Sequence, residues 1–164
     1  MEGHLTAVDA LVARLAAAML VRRVMLATAE SCTGGLVAAA CTSLAGSSEW
    51  FERGFVTYSN AAKTESLGVA AALIAARGAV SAEVACAMAE GALAHSNAGV
   101  AIAVTGIAGP GGGTTDKPVG TVWLAVAERG SRAKATLLQA TGDRAAIRAQ
   151  SVLRALELVL ERLE

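Results

Sequence analysis

Val24-Met25-Leu26-Ala27-Thr28 runs directly into Ala29-Glu30-Ser31-Cys32-Thr33-Gly34-Gly35 and then into Leu36-Val37-Ala38-Ala39-Ala40. The first run is short and apolar, as a buried strand requires. The last reads as part of an Ala-rich helix over residues 33–44, broken by Gly46-Ser47-Ser48. A turn between them sits at a helix N-terminus, where unpaired N–H groups and partial positive charge collect. The sequence fills that turn with two hydroxyls, a thiol and two glycines. A nucleophile beside free N–H donors is what acyl transfer uses.

Outward from this unit, the pattern of apolar residues predicts the remaining elements. Leu5, Val8, Leu11, Val12, Leu15 and Met19 recur at helical spacing, which predicts an amphipathic helix over about residues 4–21. Phe55-Val56-Thr57-Tyr58 reads as a second strand, followed by a short helix from Asn60, capped by Ser59 or Asn60 and ended by Gly68. A helix at 70–76 stops at Gly78, and Ser81 caps another over 82–94. Residues 100–105 form an apolar, β-branched central strand. Residues 106–118 hold both prolines and many glycines, a loop longer than a simple connection needs. Residues 119–127 and 133–138 pair as a hairpin, and a helix over 143–163 closes the chain. Early alternation of strands and helices followed by a late hairpin gives an α/β layered domain with a mixed sheet.

Composition narrows the function. Fourteen basic and fourteen acidic residues give zero formal net charge, so there is no electrostatic footprint for nucleic acid. Aromatic residues are 3%, too few for base-stacking platforms. The uncharged stretch 31–48 is interrupted throughout by Gly, Ser and Thr, which makes it a poor membrane span. The N-terminus lacks the segregated charged and apolar regions of a signal peptide. Cys32, Cys41 and Cys86 are odd in number and lack metal-ligand spacing, and His4 and His95 lie far apart. A reduced, cytoplasmic setting with no metal is expected.

Three segments fall at strand ends, where open α/β sheets hold ligands. In the first, Ser31 is either an N-cap or a nucleophile. Gly34 and Gly35 would weaken a first helical turn, so a bare backbone there must serve something else, such as close approach of a ligand. Cys32 is either a low-pKa thiol or a small apolar side chain facing the sheet. In the second segment, Lys63 is either a solvated lysine or a base kept neutral by desolvation. Tyr58, the only tyrosine, either relays a proton and holds Ser31 or packs its ring with the hydroxyl at the surface. In the third, Thr105-Gly106-Ile107-Ala108-Gly109-Pro110-Gly111-Gly112-Gly113 either wraps a phosphate with N–H groups or is a surface loop. Asp143 caps the last helix, and Arg144 beside it can bind an anion.

In order, the chain carries Ala-Glu-Ser-Cys-Thr-Gly-Gly at 29–35, Gly-Ser-Ser at 46–48 and Arg-Gly-Phe-Val-Thr-Tyr-Ser-Asn at 53–60, with Lys63 following. Gly-Ala-Val-Ser follows at 78–81, Val-Thr-Gly-Ile-Ala-Gly-Pro at 104–110, Lys-Pro-Val-Gly-Thr-Val at 117–122 and Gly-Asp-Arg at 142–144. This series resembles the C-terminal domain of the competence/damage-inducible protein CinA, over nearly the whole chain. One departure is Ala140, where the family usually has an aromatic residue. The resemblance implies a three-layer α/β/α sandwich with a mixed central sheet, formed by one domain over residues 1–164. The additional nucleotide-cleaving domain of longer family members is not expected.

The same resemblance implies deamidation of nicotinamide mononucleotide to nicotinate mononucleotide and ammonia, without a cofactor. Ser31 would then be the nucleophile and Lys63 the base, with Tyr58 as relay. Thr33, Gly34 and Gly35 would meet the oxyanion, and Thr105, Gly106, Gly109, Gly111 and Arg144 would hold the substrate and its phosphate. A homo-oligomer is expected, its Ala-rich helices offering a packing surface, with neither nucleic acid nor membrane as partner. The competing expectation is a non-catalytic nucleotide-binding or regulatory module using the same pocket.

Overall fold

A computed structural model describes residues 6–164. Its core is a five-stranded mixed sheet with helices on both faces. In chain order the elements are α1 (Ala7–Arg22), β1 (Leu26–Glu30), α2 (Leu36–Thr42), a 3₁₀ turn (Ser47–Glu49), β2 (Phe51–Val56), α3 (Asn60–Leu67) and α4 (Ala71–Arg77). Then follow α5 (Ala82–Ala94), β3 (Val100–Gly106), β4 (Thr121–Glu128), β5 (Lys134–Gln139) and α6 (Arg144–Leu163). The strand order is β2-β1-β3-β4-β5, with β1 parallel to both its neighbours and β4 and β5 antiparallel.

The period of two along the strands sorts side chains onto two unlike faces. Leu26, Val100, Ile102, Val104, Val122, Leu124 and Val126 face α1, α2 and α6. Ala27, Ala29, Ala101, Ala103, Ala125 and Ala127 face α3, α4 and α5. The bulky face needs space for its side chains, while the alanine face lets a helix lie close. Gly91 extends this economy to the helices. A Cβ there would come 2.1 Å from the carbonyl oxygen of Leu67, so α5 meets the end of α3 only because residue 91 has no side chain.

Several boundaries differ from the sequence reading. Thr6 caps α1 in a reciprocal box with Asp9, so the helix starts at Ala7. His4 and Leu5, within the expected first helix, lie outside the described residues. The first strand continues to Glu30, and the second runs over 51–56 rather than 55–58. Glu52, Arg53 and Gly54 obscure it, because an edge strand needs no continuous apolar run.

The largest change is at the turn. α2 begins at Leu36, not near residue 33, and its N-cap is Gly35 rather than Ser31. Gly34 and Gly35 have φ of 57° and 105°, left-handed values that ordinary side chains disfavour. Their presence follows from the turn's backbone, not from a weakened helical turn.

Candidate active site

β1 and β3 are parallel neighbours, and their C-terminal ends lead in different directions. After β1 the chain turns into α2; after β3 it enters the long loop toward β4. A crevice outside the carboxyl ends of such strands is where open α/β folds bind ligands. Ser31 immediately follows β1, and its N–H donates to the Val104 carbonyl of β3 at 2.9 Å, which fixes the Ser31 turn to the neighbouring strand.

α3 supplies the second side chain. Ser59 caps it by accepting from the Ala62 N–H, and Lys63 follows one turn later. Lys63 is 1% exposed, so the solvated-lysine reading does not hold. Its Nζ lies 3.2 Å from Ser31 Oγ, 3.0 Å from the Thr57 carbonyl and 3.2 Å from the Tyr58 carbonyl. Burial holds the Lys63 pKa below that of an ordinary lysine, with a smaller opposing influence from Cys32.

The turn distributes its backbone donors unevenly. Gly34 N–H donates to the Ser31 carbonyl at 3.1 Å, and Leu36 N–H to the Thr33 carbonyl at 3.0 Å. The Gly34 donor expected at an oxyanion is therefore already engaged within the turn. The N–H groups of Cys32, Thr33 and Gly35 meet no oxygen acceptor among the described residues, and the Cys32 N–H bears only on its own thiol. Glu30, itself 1% exposed, supports the turn from below. Its carboxylate accepts from Thr33 Oγ1 at 2.6 Å and from the Val37 and Ala38 N–H groups at 2.8 and 3.1 Å. It thus satisfies the start of α2 in place of a capping hydroxyl.

Cys32 lines the cleft, but burial pushes its thiol up to about 11, opposed in part by hydrogen bonding and by Arg148. The thiol is the inactive form at neutral pH. Tyr58 is 61% exposed, and its hydroxyl accepts from Arg144 Nη2 at 3.1 Å. Its hydroxyl therefore pairs with Arg144, and its carbonyl, not its hydroxyl, meets Lys63. Arg144 Nη1 also donates to the Gly109 carbonyl at 2.8 Å, joining α6 to the glycine-rich loop.

Ser31, Cys32, Tyr58, Lys63, Thr105, Gly106 and Arg144 line one cleft of about 210 Å³. Asn60, Ala79, Val80 and Ala108 complete its wall. Thr33 lies beneath it, fully buried. Gly109 reaches it only through its bond to Arg144, and Gly111 does not line it. A larger cleft of about 390 Å³ between β4, β5 and α6 contains Arg154 and Arg162, both already paired with glutamates. Of these two clefts among the described residues, the smaller joins a hydroxyl to a buried amine.

A family model for the CinA C-terminal domain matches residues 8–163. The chain belongs to the CinA C-terminal domain family. Among similar members is the nicotinamide-nucleotide amidohydrolase PncC of Pseudomonas putida, 56% identical over 134 residues that cover 82% of this chain and 83% of that protein. The protein of the same name from Escherichia coli K12 is 49% identical over 140 residues, 85% of each. The crystal structure of the competence/damage inducible protein CihA from Agrobacterium tumefaciens superposes with a TM-score of 0.92 at 45% identity, covering 99% of both chains. The expected α/β fold with a mixed sheet thus holds for this member of the CinA family. Ala140, the departure from the family pattern, is buried in the core and does not line the cleft.

Two residues of the site went unread in the sequence. Glu30 is a lone acid at the end of an apolar strand, three residues before a threonine and just ahead of a helix. Arg148 lies one helical turn beyond Arg144 and donates to the Cys32 and Thr33 carbonyls.

Proposed function

We propose that this protein is a nicotinamide-nucleotide amidohydrolase that converts nicotinamide mononucleotide and water to nicotinate mononucleotide and ammonia through an acyl-serine intermediate. The observation that carries this reading is the 3.2 Å approach of a buried lysine amine to Ser31 Oγ. The names of close relatives supply the substrate.

A neutral amine has two N–H groups and one lone pair. Three carbonyls surround Lys63 Nζ, those of Thr57 and Tyr58 at 3.0 and 3.2 Å and that of Ser59 at 3.5 Å; the two nearer ones can take the two N–H groups, leaving the lone pair for the Ser31 hydroxyl. Burial favours that neutral form. Ser31 then attacks the carboxamide carbon as Lys63 takes its proton. The oxyanion is met by unengaged N–H groups of the turn, chiefly Thr33 and Cys32. Lys63 returns the proton to the departing nitrogen, ammonia leaves, and water cleaves the nicotinoyl ester by the same base. The pyridinium charge of the substrate draws electrons from the amide and eases attack.

Arg144 is the cation of the cleft and the proposed ligand of the 5′-phosphate. Thr105, Gly106 and the adjoining loop would position the remainder of the nucleotide, with Gly109 setting Arg144 through its carbonyl. Tyr58 orients both partners, through its carbonyl to Lys63 and its hydroxyl to Arg144.

The deciding experiment is ammonia release from nicotinamide mononucleotide by the purified protein and by Ser31→Ala. Release by the first alone supports the reading; equal release by both removes Ser31 as nucleophile. Nucleotide binding with no release by the wild type would favour a regulatory module instead.

The protein is further proposed to be one domain acting as a cytoplasmic homo-oligomer, with no nucleic-acid or membrane partner. Leu36 and Val56 support association, since both leave substantial apolar surface exposed. Light scattering of the eluted protein gives the oligomeric state. Among the described residues, no helix is long and apolar enough to cross a membrane.

A further inference from the structure

α6 carries two arginines one helical turn apart on the side that meets the nucleophile turn. Arg144 faces the cleft. Arg148 is half-buried, does not line the cleft, and has no carboxylate partner among the described residues. Its Nε donates to the Cys32 carbonyl at 3.1 Å and its Nη2 to the Thr33 carbonyl at 3.3 Å. A guanidinium is thus directed at two consecutive peptides just after the nucleophile.

A trans peptide points its C=O and N–H in opposite directions. The Cys32 carbonyl shares its peptide with the Thr33 N–H. Holding that carbonyl toward α6 turns the Thr33 N–H away from α6. The Thr33 carbonyl shares its peptide with the Gly34 N–H, which closes the turn onto the Ser31 carbonyl at 3.1 Å. The Ser31 carbonyl in turn shares its peptide with the Cys32 N–H. Two contacts from one side chain therefore constrain the peptides that bear both unengaged donors nearest Ser31. A cation at a carbonyl oxygen also polarises the peptide and strengthens its N–H as a donor.

From this geometry we propose that Arg148 is a positioning residue for amide hydrolysis: its grip on the Cys32 and Thr33 carbonyls aims the Thr33 and Cys32 N–H groups at the oxyanion formed when Ser31 attacks. The proposal rests on the amidohydrolase reading. Glu30 holds the Thr33 side chain while Arg148 holds the Thr33 carbonyl, so the peptide between them has little freedom to swing.

The grip needs a fork. Lysine carries a single ammonium and cannot reproduce two parallel guanidinium contacts. The alternative use of Arg148 is as a second anion ligand beside Arg144, and the two uses leave different kinetic marks. Positioning affects the transition state and appears in kcat; an anion ligand affects binding and appears in KM.

Steady-state ammonia release is measured with nicotinamide mononucleotide for wild type, Arg148→Met and Arg148→Lys, each checked for folding by thermal melt. Loss of one oxyanion donor costs about 10²–10³ in rate, so a donor misaimed but still present should cost roughly ten- to hundredfold in kcat, with KM within about threefold. Lysine should recover only part of the loss. Unchanged kcat in Arg148→Met, or a raised KM at unchanged kcat, overturns the proposal. If the methionine variant fails to fold, Arg148→Lys decides: a folded lysine variant with wild-type kcat overturns it. No ammonia release from wild type would overturn the amidohydrolase reading itself, and the proposal with it.

Discussion

Glu30→Gln tests how the Ser31 turn is held, because the change preserves size and alters only charge and one hydrogen-bonding atom. The wild-type carboxylate uses Oε1 for Thr33 Oγ1 and the Val37 N–H, and Oε2 for the Ala38 N–H. A glutamine carbonyl placed at the Oε1 position keeps the first two bonds. Its NH₂ then faces the Ala38 N–H, donor against donor. The reverse orientation faces two donors and is worse. One lost bond with a half-buried N–H left unpaired costs about 1–3 kcal/mol. Removing negative charge from the start of α2 costs a further ~0.3–1 kcal/mol. Glutamine is easier to desolvate than a carboxylate, which offsets part of the cost. The net is about 1–3 kcal/mol, and for a chain of this size the melting temperature should fall by roughly 3–9 °C. Differential scanning calorimetry at pH 7 reads it directly. A shift below about 2 °C would refute the assignment of Glu30 as the anchor of this turn. Because Thr33 carries a proposed oxyanion donor, ammonia release should fall as well, with the loss in kcat.

Other outcomes follow from single contacts. Lys63→Met should lower kcat by about 10²–10⁴, the usual contribution of a general base, and abolish the ascending limb of the pH–rate profile. In wild type that limb rises with pH, since the active amine is the deprotonated form, and its midpoint lies below an ordinary lysine pKa. Stability obeys the same linkage: the unfolded chain holds its lysine proton up to a higher pH, so stability rises between the lowered Lys63 pKa and about 10.4. Denaturant titrations across that window should show the slope in wild type and a reduced slope in Lys63→Met. Gly91→Ala should destabilise by about 1–3 kcal/mol, because its Cβ would collide with the Leu67 carbonyl, and the urea midpoint measures this. Thiol labelling of the native protein at pH 8 should modify Cys86 first, since burial pushes Cys32 up to about 11 and Cys41 up to about 12. Fast labelling of Cys32 with loss of turnover would move the nucleophile to the thiol. Arg144→Ala should raise KM for the mononucleotide more than for the riboside that lacks the phosphate, as measured by parallel ammonia assays.

The parts of the fold legible in the sequence were those governed by local pattern. The helices after Ser59, Ser81 and Asp143 were readable because a capping side chain marks each start. Strand β3 was readable because both its faces are buried and its residues are apolar throughout. The start of α2 was not, because its cap comes from Glu30, six residues before the helix begins, and the residue at the N-cap position is a glycine. Strand β2 was largely hidden by its charged edge residues. In the site, Ser31 and Lys63 could be proposed separately, but their 3.2 Å contact depends on Gly91 admitting α5 against α3 and on the register of β1 with β2. Tertiary packing of that kind leaves no periodic trace.

The division of the sheet into a bulky face and an alanine face explains why the two halves of the proposed chemistry arrive from opposite sides. Lys63 comes from α3 on the alanine face, where close helix packing buries an amine that would otherwise be solvated. Arg144 and Arg148 come from α6 on the bulky face, which also carries α1 and α2. At the carboxyl ends of β1 and β3 groups from both layers meet. Ser31 stands at that edge, with an amine from one layer against its hydroxyl and a guanidinium from the other on the peptides that follow it. The turn is short because it must be reached from both faces. Its positive-φ glycines let the chain leave β1, present one hydroxyl and enter α2 within five residues. Replacing either glycine by alanine should therefore impair catalysis through the direction of the Ser31 turn, although the added methyl makes only ordinary contact, with Arg148 Nη2 at 3.5 Å from residue 34 and with Val56 Cγ2 at 3.6 Å from residue 35.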